Sequence, residues 1–177
     1  METVGLITFL RAAGRLKQTR RAGWVQAGVP DPESVADHSH RVALLTMLLS
    51  DVKGLDASRA VKMALLHDLP EAVTGDLTPG QKPRDHATAE AQAFQQVVAG
   101  LGERQRTSYA GLFLEYQEGR TPEAALVHTA DKLDMVLQAL EYQEAGVNAS
   151  KLDRFWDVQL PEEYGALLSF LEKLRVG

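Results

Sequence analysis

The chain has 177 residues, 45% of them apolar and 24% charged, a balance that suits one folded domain and is unlike the polar composition of a disordered chain. It contains no cysteine, which excludes disulfides, thiolate catalysis and Cys-rich zinc or iron–sulfur sites and fits a reducing cytoplasm. The net charge of −5 argues against broad binding to nucleic acid polymers.

The first residues, METVGLITFLRAAGRLK, lack the basic, apolar and small-residue layout of a signal peptide. The longest apolar stretch, residues 42–49, is far below the ~20 residues that span a bilayer. A soluble cytoplasmic protein with no membrane partner is therefore expected. Val4, Ile7, Phe9, Leu10, Ala13 and Leu16 recur at mostly helical spacing, predicting an amphipathic helix whose apolar stripe faces the core. Arg11, Arg15, Lys17, Arg20 and Arg21 come without an acid among them. They form either a solvated face complementing the helix dipole or, for one arginine near Trp24, a phosphate contact. The two glycines and two prolines of residues 22–33 predict a loop at a pocket rim.

Ser34, with Asp37 three residues on, opens a second predicted helix in a capping-box-like arrangement. At about 100° per residue His38 shares a face with Val42 and Leu45, whereas His40 points some 200° away, so His38 turns inward and His40 to solvent. A third helix starts at Asp56 or Ser58 and carries Val61, Ala64, Leu65 and the adjacent pair His67–Asp68 toward the interior. Pro70, without an amide hydrogen, should kink or restart it there. An imidazole and a carboxylate side by side are good ligands for a divalent metal. Glu71, four residues after His67, lies on the same side if helical geometry survives. The turn Thr74-Gly75-Asp76 can carry Asp76 to the same opening, with residues 79–85 as a lid.

Two further helices, over 85–101 and 103–116, read as structural. Thr121 and Pro122 open a long helix that sets Asp131 among Leu126, Val127, Ala130, Leu133 and Val136, where a carboxylate needs a partner or a metal. His128 reads as a half-exposed helix residue, His86 as exposed, and Glu141 as too distant for the same metal. An amphipathic stretch over 150–174, restarting at Pro161, closes the bundle. Nothing alternates as a sheet would, so the fold class is all-α.

His38, His67, Asp68 and Asp131, in the order H…HD…D on three apolar helices, resemble the HD-domain superfamily of metal-dependent phosphohydrolases, a helical bundle. The blocks RLKQTRRAGWV, PESVADHSHRVALL, ALLHDLPEAVTGDLTP and HTADKLDMVLQALEYQ are similar to its 5′-deoxynucleotidase branch. The expected organisation is a single HD domain over 1–177, with the motif-bearing part at about 8–145 and C-terminal helices 150–174 packed on it. The resemblance implies a divalent cation such as cobalt, manganese or zinc on His38, His67, Asp68 and Asp131. It implies a phosphate contact at Arg21, a substrate-binding surface near the sugar or phosphate at Trp24 (which could equally pack in the core), a catalytic role for Glu71, and a sugar-contacting, catalytic role for Asp76. The implied reaction removes the 5′-phosphate from deoxyribonucleoside 5′-monophosphates by metal-activated water, and the implied assembly is a homodimer. The alternatives are an HD phosphohydrolase of a cyclic or dinucleotide phosphoester and a non-catalytic metal- or nucleotide-binding regulatory module.

Overall fold

The computed structural model describes residues 3–176, which form nine α-helices and no strand. They are α1 (Thr3–Arg15), α2 (Ala22–Ala27), α3 (Val35–Lys53), α4 (Ala57–Leu66), α5 (Glu71–Thr74), α6 (His86–Val98), α7 (Glu103–Glu118), α8 (Pro122–Glu144) and α9 (Gly165–Val176). Helices α3, α4 and α8 pack on one another at the centre, and Val35, Val42, Ala60, Met63, Ala64, Val127 and Ala130 bury the seam. Each of the three has a side-chain cap on its first turn. Ser34 and Asp37 form a reciprocal box on α3, Asp56 accepts from Arg59 N–H at 2.9 Å, and Thr121 accepts from Ala124 N–H at 3.2 Å with Pro122 in the first turn of α8. A cap of this kind is worth about 1 kcal/mol. No helix among the described residues is long and apolar enough to cross a membrane.

Helix α4 ends at Leu66 and the chain turns through His67–Pro70 before α5 begins at Glu71, the break expected of Pro70. The HD pair therefore leaves the helix with its side chains free to turn into the bundle, and α5 presents Glu71 beside them.

The local expectations need correction in several places. The apolar stripe assigned to α1 does not face the core as a whole: Val4, Ile7 and Leu10 are exposed, while Gly5, Ala12 and Leu16 are buried. The cause is close backbone approach, since a Cβ on Gly5 would lie 1.5 Å from the carbonyl oxygen of Gly100. The small-residue face is the one that fits. Residues 22–33 are not loop throughout. Residues 22–27 form α2, anchored by Trp24 and ended by Gly28 in the left-handed region, φ 67°. Leu65 is exposed rather than interior, and His86, expected at the surface, is half-buried with Nε2 2.8 Å from Glu90 Oε1. The stretch 150–174 is mostly not an amphipathic helix. It makes 3₁₀ turns at Ala149–Lys151, Asp153–Phe155 and Glu162–Tyr164 before α9.

Those turns are what build a second core. Leu152, Phe155 and Trp156 pack with Trp24 of α2, Val136, Ala139 and Leu140 of α8, and Leu171 of α9. Burying aromatic surface at this scale favours a fixed position for the segment over a frayed end.

Candidate metal centre

The entry to α3 is set by a short antiparallel contact: Arg21 N–H donates to Glu33 O at 3.1 Å and Val35 N–H to Thr19 O at 2.9 Å. This bridge fixes Arg21 at the first turn of α2 and His38 one turn into α3. Arg20 points outward to Pro32 O and Asp31, and Arg15 donates to Ala72 O at 2.9 Å, tying α1 to α5. Of the basic residues at this end, Arg21 is the one that faces the centre.

His38, His67 and Asp68 place one ligand atom each within 4.8 Å of the others. His67 Nε2 lies 3.2 Å from Asp68 Oδ2, and His38 Nε2 lies 3.5 Å from the same oxygen. Asp131, from α8, adjoins through Oδ1 at 3.2 Å from His38 Nε2, on the more open side, with 32% of its side chain exposed. Both Nε2 atoms are buried without a hydrogen bond of good geometry. The opposite ring nitrogens are engaged: His67 Nδ1 is 2.6 Å from Ala64 O, and His38 Nδ1 is 2.7 Å from Asp134 Oδ2. Two buried nitrogens aimed at two carboxylates, with their far sides occupied, are what a divalent cation of nitrogen–oxygen preference needs. The residues present fit such a group.

The electrostatics follow from burial in mixed company. Burial works against the charge of Asp68, but His67, Arg21 and His38 outweigh it and hold the carboxylate well below its usual range. Asp131 is likewise opposed by burial yet lowered to about 2 by His38, His67 and Arg21. For His38 burial and Arg21 oppose the proton, while Asp131 and Asp134 prevail and raise the imidazole to about 10. Glu71 behaves oppositely to its neighbouring carboxylates. Burial first, then Asp68 and Asp76, push it up to about 10, so without a cation it carries a proton at neutral pH.

Around this floor opens a cavity of about 480 Å³, within the range of small-molecule sites. Arg21 Nη1 stands 3.4 Å from Asp68 Oδ2 and 3.8 Å from Asp76 Oδ1. Asp76, carried in by the turn after α5, also accepts from the Ala22 N–H at the start of α2. Trp24 is in the wall rather than in the opening. It is 2% exposed, with its ring tilted 36° against Phe155 at 3.9 Å between centroids, edge-on to Tyr142 at 5.2 Å, and bonded through Nε1 to Glu33 at 2.8 Å. His40 is exposed, and Glu141 pairs with Arg41 away from the cluster. His128 does not reach Asp131. It stacks on Tyr116 at 4.2 Å and bonds its backbone oxygen at 2.9 Å.

Several functional neighbours lie outside the sequence reading. Helices α6 and α7 are more than scaffold, because Glu90, Tyr116 and Gln117 line the cavity, joined by Met135 of α8 and Phe155; Lys82, also in the lining, falls within the 79–85 segment expected at the opening. Asp134, fully buried against His38, had a readable signal: it lies three residues beyond Asp131, on the same apolar face. Arg41, three residues beyond His38, had the same one. Phe155 had none.

Helices α3 and α8 and the turn after α4 thus bring two imidazoles and two carboxylates together at the floor of one cavity, the donor set of a helical protein that could hold a divalent cation. A profile of the HD domain matches residues 13–164. The 5′-deoxynucleotidase hdd1 of Schizosaccharomyces pombe is 35% identical over 160 residues, 87% of this chain and 80% of that one. The 5′-deoxynucleotidase HDDC2 of Homo sapiens is 36% identical over 154 residues, 86% of this chain and 75% of that one. A conserved hypothetical protein from Pyrococcus furiosus superposes with a TM-score of 0.78 at 40% identity, covering 97% of this chain and 99% of the other. The chain belongs to the HD-domain family, in the branch of those 5′-deoxynucleotidases.

Proposed function

We propose that this chain is a metal-dependent 5′-deoxynucleotidase, in which His38, His67, Asp68 and Asp131 hold a divalent cation, of which cobalt, manganese and zinc all suit the donor set. The observation that carries the reading is the meeting, in one cavity, of the two unsatisfied Nε2 atoms and their carboxylates with Arg21, Glu71 and Asp76. When bound, a cation there supplies a Lewis acid that lowers the pKa of water and neutralises charge developing on a phosphoryl group.

The other roles belong to the chain. Arg21 offers a planar fork of donors to the phosphate and is already held at the cavity by Asp68 and Asp76. Glu71, at the cavity beside Asp68 and Asp76, is the carboxyl placed to position or deprotonate the attacking water or to protonate the departing 5′ oxygen. Asp76 gives one oxygen to Ala22 N–H, and the other, 3.8 Å from Arg21 Nη1, can still accept from the sugar 3′ hydroxyl, while its bulk crowds a 2′ hydroxyl. Trp24 contributes by fixing Phe155 and the cavity wall. The whole chain is read as one HD domain, supported by the C-terminal turns packing into the core that α2 and α8 share. A homodimer is supported by Leu44, Met47, Leu48 and Val52, exposed at i, i+3, i+4 and i+8 along α3. The cysteine-free composition supports a cytoplasmic location.

The test is phosphate release by metal-stripped protein resupplied with cobalt or manganese. Deoxy- and ribonucleoside 5′-monophosphates are compared with 3′-monophosphates and a cyclic dinucleotide. Metal-dependent release confined largely to deoxy 5′-monophosphates is expected, and Asp76→Ala should then narrow the gap to ribonucleotides. Release from the cyclic dinucleotide instead, or silence on every substrate with metal bound, overturns the reading.

A further inference from the structure

His38 is 1% exposed, so neither of its ring nitrogens can turn to water. Nδ1 meets Asp134 Oδ2 at 2.7 Å, and Asp134 is fully buried. The other carboxylate oxygen, Oδ1, is taken by Arg41 Nε. Arg41 is itself fixed along α8: Nη2 donates to Gln138 Oε1 at 2.8 Å, and Nη1 to Glu141 Oε1 and Oε2 at 2.8 and 2.7 Å. This ladder joins α3, which carries His38, to α8, which carries Asp131.

A guanidinium only donates hydrogen bonds. Whatever group stands between Arg41 and His38 must give Arg41 an oxygen, and its remaining atom decides what Nδ1 meets. With aspartate that atom is a second oxygen, so Nδ1 must keep its proton and Nε2, toward Asp68 and Asp131, is the nitrogen that gives up its proton when a cation binds. We propose that Arg41, acting through Asp134, is a positioning residue that selects the His38 tautomer able to ligate a cation through Nε2. His67 needs no such device, because its Nδ1 donates to the backbone oxygen of Ala64, which is always an acceptor. The two imidazoles thus present the same nitrogen by different means, and only one can be switched by mutation.

The inference rests on the metal-centre reading, and the two fail separately. The experiment measures zinc binding to the metal-stripped full chain by calorimetry for wild type, Asp134→Asn, Arg41→Met and the double variant. In Asp134→Asn, Arg41 claims the amide oxygen and the NH₂ group faces Nδ1, which moves the ring proton to Nε2. Zinc affinity should fall about 10- to 100-fold, the usual cost of losing a partner behind a metal-binding histidine. Arg41→Met keeps the acceptor at His38 and should cost much less. In the double variant the amide is free to turn its oxygen to Nδ1, so affinity should recover above that of Asp134→Asn, whereas simple structural damage would accumulate. Proton–nitrogen correlation spectra of zinc-free Asp134→Asn, with the rings neutral, should show His38 protonated on Nε2 and His67 still on Nδ1. Wild-type affinity in Asp134→Asn, a double variant no better than it, or His38 still protonated on Nδ1 overturns the proposal. A wild-type chain that binds no zinc overturns the metal centre instead, and the spectra still decide the tautomer.

Discussion

Replacing Glu71 by glutamine should make the metal-free protein more stable while abolishing turnover. The Glu71 side chain is 7% exposed and carries a buried oxygen without a hydrogen-bond partner. Burial, Asp68 and Asp76 raise its carboxyl from an ordinary 4.5 to about 10. The folded state therefore keeps a proton that the unfolded chain releases above pH 4.5, and by linkage stability falls as pH rises from there toward 10. At ~1.4 kcal/mol per pH unit, the interval from 4.5 to neutral pH amounts to about 3.5 kcal/mol. Glutamine has nearly the same shape and no charge to lose, so it should recover up to about 3.5 kcal/mol at pH 7 and little at pH 4. Chemical denaturation of the metal-stripped proteins at both pH values measures this, alongside cation content and phosphate release. Glu71→Gln should bind the cation, gain stability at neutral pH and lose turnover. An unchanged stability difference between pH 4 and pH 7 would refute the buried, protonated carboxyl, and full activity would refute its catalytic assignment.

In the metal-free protein His38 holds a proton up to about pH 10, and a cation must displace it. Apparent affinity should rise about tenfold per pH unit between 7 and 9, with proton uptake by the buffer visible in calorimetry; a pH-independent affinity would contradict this. Arg21→Lys keeps the charge but not the fork, and should cost about 10²-fold in kcat/KM with little change in melting temperature. Kinetics indistinguishable from wild type would remove Arg21 from the phosphate. Trp24→Ala empties the centre of the second core, where the indole is 2% exposed and packed on Phe155 and Tyr142. It should cost about 3–5 kcal/mol in urea unfolding, and a loss under about 1 kcal/mol would mean that the core does not depend on it.

The sequence by itself determined whatever depends on neighbours within a turn or two of helix. Ser34 with Asp37, Asp56, and Thr121 with Pro122 announce the three central helices, because a cap needs only backbone amides two or three residues away. Pro70 ends α4 by its own missing amide hydrogen. Helical spacing turns His38 and Asp131 inward, and the adjacency of His67 and Asp68 marks a ligand pair. The resemblance of the H…HD…D order brought those four together before any distance was known.

What only the tertiary structure decided rests on partners far along the chain. Which face of α1 is buried depends on the backbone of Gly5 meeting that of Gly100, so an apolar stripe read by periodicity was left in solvent. Helix α2 exists because Trp24 finds Phe155 and Tyr142; nothing within residues 22–33 supplies that energy. The cavity walls at Tyr116 and Phe155 come from helix packing and from 3₁₀ turns that carry no motif. The bond from Asp134 to His38 could be suspected from its face but not paired, since both helices have other inward residues. Local pattern fixes which side chains leave the surface, and long-range packing fixes which of them meet.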